Sequence, residues 1–151
     1  MQGEVIMSPE ENKRVVANFV EVVQNRHDLA AADHIFHPEF VNHYAPAGRT
    51  VPAVQGRPAA AFQQFYGMLL GAFPDATMSI EEQVAERDVV ATRKTLRGTH
   101  RGELWGLPPT GNRVEWEFID IFRVRDGKLV EHWTHMDFDA LRAQMSARPH
   151  E

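Results

Sequence analysis

The sequence predicts an α+β fold, a curved and mostly antiparallel sheet wrapped with N-terminal helices. Two observations indicate it. Apolar residues recur at helical spacing in the first half of the chain, whereas from Ala76 onward runs of β-branched and aromatic residues alternate with turns. Helices followed by consecutive strands are typical of an α+β domain. A curled sheet closed by helices would form a cone-shaped barrel with an open mouth.

Composition sets the broad class of the protein. The 151 residues suit a single domain over residues 1–151, with an ordered core at 8–146. The chain is 43% hydrophobic and 25% charged, and its net charge of −5 argues against nucleic-acid and anionic membrane partners. The absence of cysteine excludes disulfides and thiolate metal sites. No apolar segment has the length of a membrane span or a signal peptide, so we expect a cytoplasmic protein.

The first half of the chain carries clear helix signals. Ser8 is the expected N-cap of the first helix, Pro9 suits its first position, and Glu11 completes a capping box. Asp28 is expected to cap a short second helix. Further helical patterns cover residues 29–36, 58–73 and 140–146. Pro and Gly residues punctuate a loop at 45–56, which we expect to form a surface lid.

The second half predicts strands at residues 76–86 and 88–101 and a hairpin at 115–137. Asp126 and Gly127 are expected to form its two-residue turn, because a type I′ turn needs positive φ at both central positions. Counting back from that turn pairs Asp120 with Trp133 and Phe118 with His135. A slip of one residue would exchange the two faces of the sheet.

In this register one face of the hairpin combines large aromatic and ionisable side chains. Its members are Trp116, Phe118, Asp120, Phe122, Trp133, His135 and Asp137. An apolar wall with a few convergent polar groups is the usual description of a small-molecule pocket. We therefore expect this face to line the mouth of the cone.

Two segments carry a resemblance to a known family. They read GTHRGELWGLPPTG (residues 98–111) and DGKLVEHW (residues 126–133), and Asp137 follows the second. With Asn42-His43 and residues 73–75, they make the chain resemble the SnoaL-like polyketide cyclases, also labelled ester cyclases. The resemblance extends from about Glu11 to Leu141.

The resemblance implies a cone-shaped α+β barrel shared with ketosteroid isomerase, scytalone dehydratase and limonene epoxide hydrolase. It also implies a homodimer, no cofactor, and ring closure by intramolecular aldol condensation with an aspartate as acid/base. Asp137 looks like the matching carboxylate. The hydrolase relative uses an Asp-Arg-Asp arrangement, and Phe118 stands where its arginine would be. This departure counts against that hydrolysis unless Arg93 substitutes.

Two aspartates are candidate catalytic groups, and each has a structural alternative. Asp137 between tryptophans would be partly desolvated, which raises a carboxyl pKa toward the range useful for proton transfer. It could instead cap the last helix, for which Asp139 is another candidate. Asp120 lies within a strand core, where an unpaired charge is costly. It could orient His135, act as a second acid/base, or pair with Arg93.

The remaining candidates are expected around the mouth of the cone. His100 and His43 are possible hydrogen-bond donors there, and His100 is also a catalytic candidate. Tyr44, Phe73 and Trp105 are expected to line the entrance. His132 and His135 point to opposite faces of a strand, so we expect no metal site.

Three functions fit these observations. The first is a cofactor-independent cyclase or isomerase acting by acid/base chemistry on a small, largely apolar carbonyl compound. A hydrolase or dehydratase of the same fold is its variant. The second is a non-catalytic protein that binds a small hydrophobic ligand. The third is a dimeric interaction module whose own side chains fill the pocket.

Overall fold

The computed structural model describes residues 6–43, 51–52 and 57–148. Its helices are α1 (Pro9–Phe19), α2 (Ala32–Ile35), α3 (Ala60–Ala72) and α4 (Phe138–Ser146). Its strands are β1 (Phe36–Asn42), β2 (Val51–Pro52), β3 (Thr77–Glu86), β4 (Val89–Thr99), β5 (Arg113–Arg125) and β6 (Lys128–His135). A π-helical turn (Val20–Asn25) extends α1, and a 3₁₀ turn (Leu29–Ala31) precedes α2.

The strands form one sheet in the order β2-β1-β6-β5-β4-β3. All neighbouring pairs are antiparallel except β1 and β6, which are parallel. α1 and its π-helical extension pack across β3 and β4, and α4 packs against β5. The predicted α+β class, a curved sheet covered by helices, is confirmed. No helix in the described ranges is long and apolar enough to cross a lipid bilayer.

The start of α1 follows the sequence prediction in full. Ser8 Oγ accepts a hydrogen bond from Glu11 N (3.1 Å), and Ser8 N donates to the Glu11 carboxylate (2.7 Å). Pro9 occupies the first helical position. The capping box therefore fixes the point at which the chain turns into the helix.

The second helix is shorter than predicted. Asp28 does cap it, accepting from Ala31 N at 3.2 Å, but helical structure ends at Ile35. Phe36 already begins β1, which pairs with β6. Strand pairing thus overrides the helical pattern at this point. Most of the expected lid at 45–56 lies outside the described residues, and within it Val51 and Pro52 pair with β1.

The predicted hairpin turn is confirmed. Asp126 and Gly127 have φ angles of 54° and 71°, and Arg125 pairs with Lys128. Both central residues thus adopt the left-handed backbone that a type I′ turn requires.

The pairing predicted beyond that turn is wrong by one residue. Val124 pairs with Leu129, but Arg123 pairs with Glu131, so Val130 is the extra residue of a β-bulge. Every later residue of β6 is therefore displaced by one position. Phe122 faces His132 and Asp120 faces Thr134, whereas Trp133 and His135 pair with Ile121 and Ile119 on the outer face.

The loop after β4 is held against the end of α3. Arg101 N and Gly102 N donate to the Ala72 carbonyl, at 2.9 and 3.2 Å. A Cβ atom on Gly102 would lie 2.1 Å from the carbonyl oxygen of Gly71. This approach of two backbones is possible only without a side chain at position 102.

Candidate active site

A cavity of about 190 Å³ lies between the inner face of the sheet and the helices. Its wall is mostly apolar, with large side chains from both layers, such as Phe19, Phe62, Trp116 and Phe118. Besides the Tyr66 hydroxyl and the Trp116 indole, which both donate to backbone carbonyls, four residues of its wall offer polar or charged side chains: Gln24, Asn42, Asp120 and His132. The inner face of β5 was predicted correctly, since Trp116, Phe118, Asp120 and Phe122 all line this space.

Asp120 is the charged group of the cavity wall. It is 2% exposed, and its Oδ2 lies 2.6 Å from the ammonium nitrogen of Lys94 on β4. Its Oδ1 is buried and has no hydrogen-bond partner among the described residues. Burial by itself raises the pKa of Asp120, but the Lys94 charge, with a smaller contribution from His132, outweighs it and holds the pKa below its usual range. The carboxylate is therefore ionised and has one oxygen available.

His132 is the second polar group with an unused atom. Its Nδ1 lies 3.2 Å from Asn42 Oδ1, and because an amide oxygen only accepts, Nδ1 carries the proton. Its ring stacks on Phe122 at a centroid distance of 4.4 Å. Its Nε2 lies 3.8 Å from Asp120 Oδ2, beyond hydrogen-bond range, and has no partner among the described residues. That nitrogen accepts when the ring is neutral and donates when it is protonated.

Gln24 enters the wall from the π-helical turn. Its side-chain oxygen accepts from Lys94 Nζ at 3.1 Å, and its backbone oxygen accepts from the hydroxyl of Tyr66 at 2.9 Å. Burial raises the pKa of Tyr66, so this hydroxyl stays protonated and donates. Short π-helical turns are frequent at functional sites. Here the turn places Gln24 against a buried charge.

The site thus consists of a polar row in an apolar enclosure. The row runs Asn42, His132, Asp120, Lys94, Gln24. Because ordinary buried polar atoms are paired, the unpartnered Asp120 Oδ1 and His132 Nε2 are the atoms that a bound polar group would satisfy. Among the described residues, no group of three or more His, Asp or Glu side chains is arranged to hold a metal ion.

Comparison with known proteins gives the family. The model for the SnoaL-like polyketide cyclases matches residues 14–145 of this chain. The chain belongs to the SnoaL-like polyketide cyclase family. The expectation drawn from the GTHRGELWGLPPTG and DGKLVEHW segments is confirmed.

Two curated proteins are similar in sequence. Nogalonic acid methyl ester cyclase of Streptomyces nogalater is 31% identical over 75% of this chain and 81% of its own length. Aklanonic acid methyl ester cyclase AcmA of Streptomyces galilaeus is 28% identical over 86% of this chain and 87% of its own length.

Two solved structures share the fold at comparable identity. AclR of S. galilaeus, a proposed hydroxylase, is 32% identical with a TM-score of 0.79, over 95% of this chain and 86% of its own. IdmH of Streptomyces antibioticus, a proposed polyketide cyclase, is 31% identical with a TM-score of 0.75, over 90% of this chain and 99% of its own.

Asp137, the carboxylate matched to the SnoaL-like acid/base, lies outside the cavity wall. Its side chain accepts from Ala140 N at 2.9 Å as the N-cap of α4, and it is exposed. Its carbonyl oxygen accepts from the indole nitrogen of Trp116 at 2.9 Å. The capping alternative therefore describes the position of Asp137, while its catalytic role stays a prediction.

His100, Phe73 and Trp105 form part of the surroundings rather than the wall. His100 is fully buried, with Nδ1 3.0 Å from Thr110 Oγ1 and its ring against Phe73. Its Nε2 has no hydrogen-bond partner among the described residues. Trp105 packs edge-on against Phe138 at 5.1 Å. The predicted roles of His100 in catalysis and of Phe73 and Trp105 at the entrance stay predictions.

The predicted pocket residues of β6 lie on the outer face of the sheet. Trp133 stacks on His43 at 4.8 Å, and His43 Nε2 lies 2.8 Å from a carboxylate oxygen of Glu131. His135 is exposed on the same face. The bulge at Val130 explains both corrections, because it exchanges the faces of β6. Tyr44 lies outside the described residues.

Sequence reasoning missed Lys94, His132 and Gln24. It offered Arg93 as the partner of Asp120, but Arg93 points outward and pairs with Glu82 and Glu117. The alternation of β4 held the needed signal, since Lys94 shares its face with Leu96. Nothing local in the sequence marks the bulge or the π-helical turn.

Proposed function

We propose that this chain is a cofactor-independent cyclase that closes a carbon ring by intramolecular aldol condensation of a polyketide-derived ester. The observation that supports it most is the pair of unpartnered atoms, Asp120 Oδ1 and His132 Nε2, in an apolar cavity. The substrate class comes from the relatives, two of which are named as cyclases of nogalonic acid methyl ester and aklanonic acid methyl ester.

Asp120 would act first as base and then as acid. Its Oδ1 removes a proton from the carbon next to a carbonyl, and the resulting enolate carbon attacks a second carbonyl of the same molecule. A carbon–carbon bond forms, and the new alkoxide receives the proton back. The step is the addition stage of the aldol condensation, without loss of water, so all atoms of the substrate stay in the product and no external reactant is needed. Because Nδ1 donates to Asn42, His132 Nε2 would donate to the enolate or alkoxide oxygen in the protonated form of the ring, and would accept from a substrate hydroxyl in the neutral form.

Assigning the base to Asp120 differs from the prediction that named Asp137. A base must reach the proton that it removes. Asp120 is part of the cavity wall, whereas the side chain of Asp137 is engaged with the backbone of α4. The geometry therefore favours Asp120.

The test uses aklanonic and nogalonic acid methyl esters as probe substrates with wild type, Asp120→Asn and Asp137→Asn. We expect wild type to convert at least one ester to an isomer of equal mass, detected by chromatography and absorption. Asp120→Asn should lower kcat by about 10²–10⁴-fold while ester binding is retained. Asp137→Asn is the matched control and should keep kcat.

The opposite ranking of the two variants would transfer the acid/base role to Asp137. Esters bound by wild type and Asp120→Asn alike, and converted by neither, would favour the non-catalytic binding protein. Thermal unfolding of each variant establishes that it is folded at the assay temperature.

We further propose that the chain forms a homodimer through the outer face of the sheet. Ile119, Ile121, Trp133 and Val89 line a shallow groove there, and Ile119 is 53% exposed. Exposed apolar clusters of this kind are typical of interaction surfaces. The homodimer that the family resemblance implies would cover this groove.

A further inference from the structure

Lys94 is a buried cation next to the candidate base. Its side chain is 1% exposed, and no other Lys or Arg is buried in the described part of the chain. Burying an ammonium group is costly unless it is paired and hydrogen-bonded. Such a group calls for an explanation beyond packing.

The position of Lys94 is fixed from several sides. Its Nζ lies 2.6 Å from Asp120 Oδ2 and 3.1 Å from Gln24 Oε1. It also lies 5.2 Å from the ring centre of Phe118 and 5.7 Å from that of Phe19, within the range of cation–π attraction. Lys94 does not line the cavity, so it acts on a ligand only through Asp120.

We propose that Lys94 is a positioning residue that holds Asp120 Oδ2, directs Oδ1 to the ligand, and remains as a fixed countercharge when Asp120 takes up a proton. The inference rests on the proposed role of Asp120 as base. It adds a residue that lies behind the cavity wall and never meets the substrate.

The charge balance explains why a cation is useful there. Before proton transfer, Lys94 balances the Asp120 carboxylate. When Oδ1 removes a proton from carbon, the negative charge moves to the enolate oxygen of the ligand, and Asp120 becomes neutral. Lys94 then faces the enolate across the neutral carboxyl group. In a dry site this preset charge stabilises the enolate without solvent rearrangement.

The same contact sets the protonation state of the base. The titratable groups that face Asp120 are Lys94 from β4 and His132 from β6, and the rings of Phe19 and Phe118 lie against Lys94. Gln24 and Tyr66 are uncharged members of the network. Without Lys94, a carboxyl group this deeply buried would retain its proton to higher pH.

The test is a titration of the Asp120 carboxyl carbon by ¹³C NMR in aspartate-labelled protein, with its signal assigned by its absence in Asp120→Asn. We expect Lys94→Met to raise the titration midpoint of Asp120 by about 1–3 pH units. The acid limb of kcat/KM should move up by the same amount. Lys94→Arg, which keeps the charge, should restore a low midpoint in both measurements.

Arg93→Met is the matched control, because it removes a cation one residue away on the outer face. It should leave the midpoint unchanged. If Lys94→Met does not fold, Lys94→Gln replaces it in the same titration. An unchanged Asp120 midpoint in the neutral variant, or an equal shift in Arg93→Met, would overturn the inference.

The two proposals fail in different ways. The titration needs no substrate, so a wild type that converts neither ester would remove the proposed function while the midpoints still decide what Lys94 does to Asp120. Conversely, a wild type that turns over while Lys94→Met keeps both the midpoint and the acid limb would leave Asp120 as base and remove Lys94 from the mechanism.

Discussion

At the scale of single residues, the ion pair between Asp120 and Lys94 is the feature of the site with the largest free-energy cost of burial. Each partner is almost fully buried. Removing one member of such a pair lowers the stability of the fold by much more than the intact pair contributes, since it leaves a buried charge uncompensated. Each of the two residues therefore needs the other to remain buried.

The free energy of unfolding should depend on pH through Asp120. Burial raises the pKa of Asp120, but Lys94 and His132 outweigh it, so the native pKa lies below the unfolded value near 4. The native state then binds fewer protons than the unfolded state. Stability from this group is present above about pH 4 and is lost as the pH falls through the native pKa.

Urea unfolding of wild type and Asp120→Asn between about pH 3 and pH 7 measures this effect. The free energy of unfolding of wild type should fall by up to about 1.4 kcal/mol for each unit of pKa depression. Asp120→Asn should be less stable at neutral pH and less sensitive to acid. Parallel pH curves for the two proteins would contradict the prediction.

The sequence predicted some residues of the site and not their partners, and the difference has a physical reason. Asp120 could be identified because a carboxylate between isoleucines in a strand needs a partner. Its partner was misassigned, because Arg93 and Lys94 are adjacent in sequence and only the alternation along β4, which places Lys94 on the face of Leu96, distinguishes them. His132 was assigned outward for the same kind of reason, since its side depends on a count along β6.

At the scale of elements, the turn chemistry was predictable and the strand register was not. Positive φ at Asp126 and Gly127 follows from the residue types themselves. The faces of β5 follow from alternation, which nothing interrupts. The bulge at Val130 in β6 depends on the energies of pairing across the sheet, so the pattern of polar and apolar residues along the strand does not predict it.

The contact between the loop after β4 and α3 gives a prediction at this scale. Gly102→Ala should destabilise the protein by more than about 1 kcal/mol, because its Cβ would overlap the Gly71 carbonyl oxygen and two backbones would have to separate. Gly71→Ala is the control, since its Cβ would meet no atom within 4 Å and alanine favours the helix. Thermal unfolding compares them. Equal melting temperatures for the two variants would show that the close approach is unimportant.

At the scale of the whole molecule, the order of elements was enough to predict the fold. Three of the four α-helices precede the consecutive strands β3 to β6, and those strands pair in sequence order. The parallel pairing of β1 with β6 could not be predicted from the order of elements. It joins residues distant in sequence, and it brings Asn42 beside His132.

The proposed homodimer gives the prediction at this scale. Ile119→Glu should shift the protein from dimer to monomer in sedimentation velocity, because a charge would be buried in the interface while Arg93 can still pair with it in the monomer. Val84→Glu is the matched control, since Val84 is 59% exposed and lies outside the groove. A monomeric wild type, or an Ile119→Glu protein that remains dimeric, would exclude this surface as the interface.

The bulge at Val130 has a consequence for aligning this chain with its relatives. Deleting Val130 would leave Leu129 opposite Val124 and Glu131 opposite Arg123, so the strand would keep the same inward-facing residues. A chain of this family that lacked the residue at the bulge would therefore be one residue shorter between turn and cavity and would keep the same inward-facing side chains. An alignment that places this gap on the other side of His132 would match cavity residues with outer-face residues, and would transfer their roles to the wrong side of the sheet.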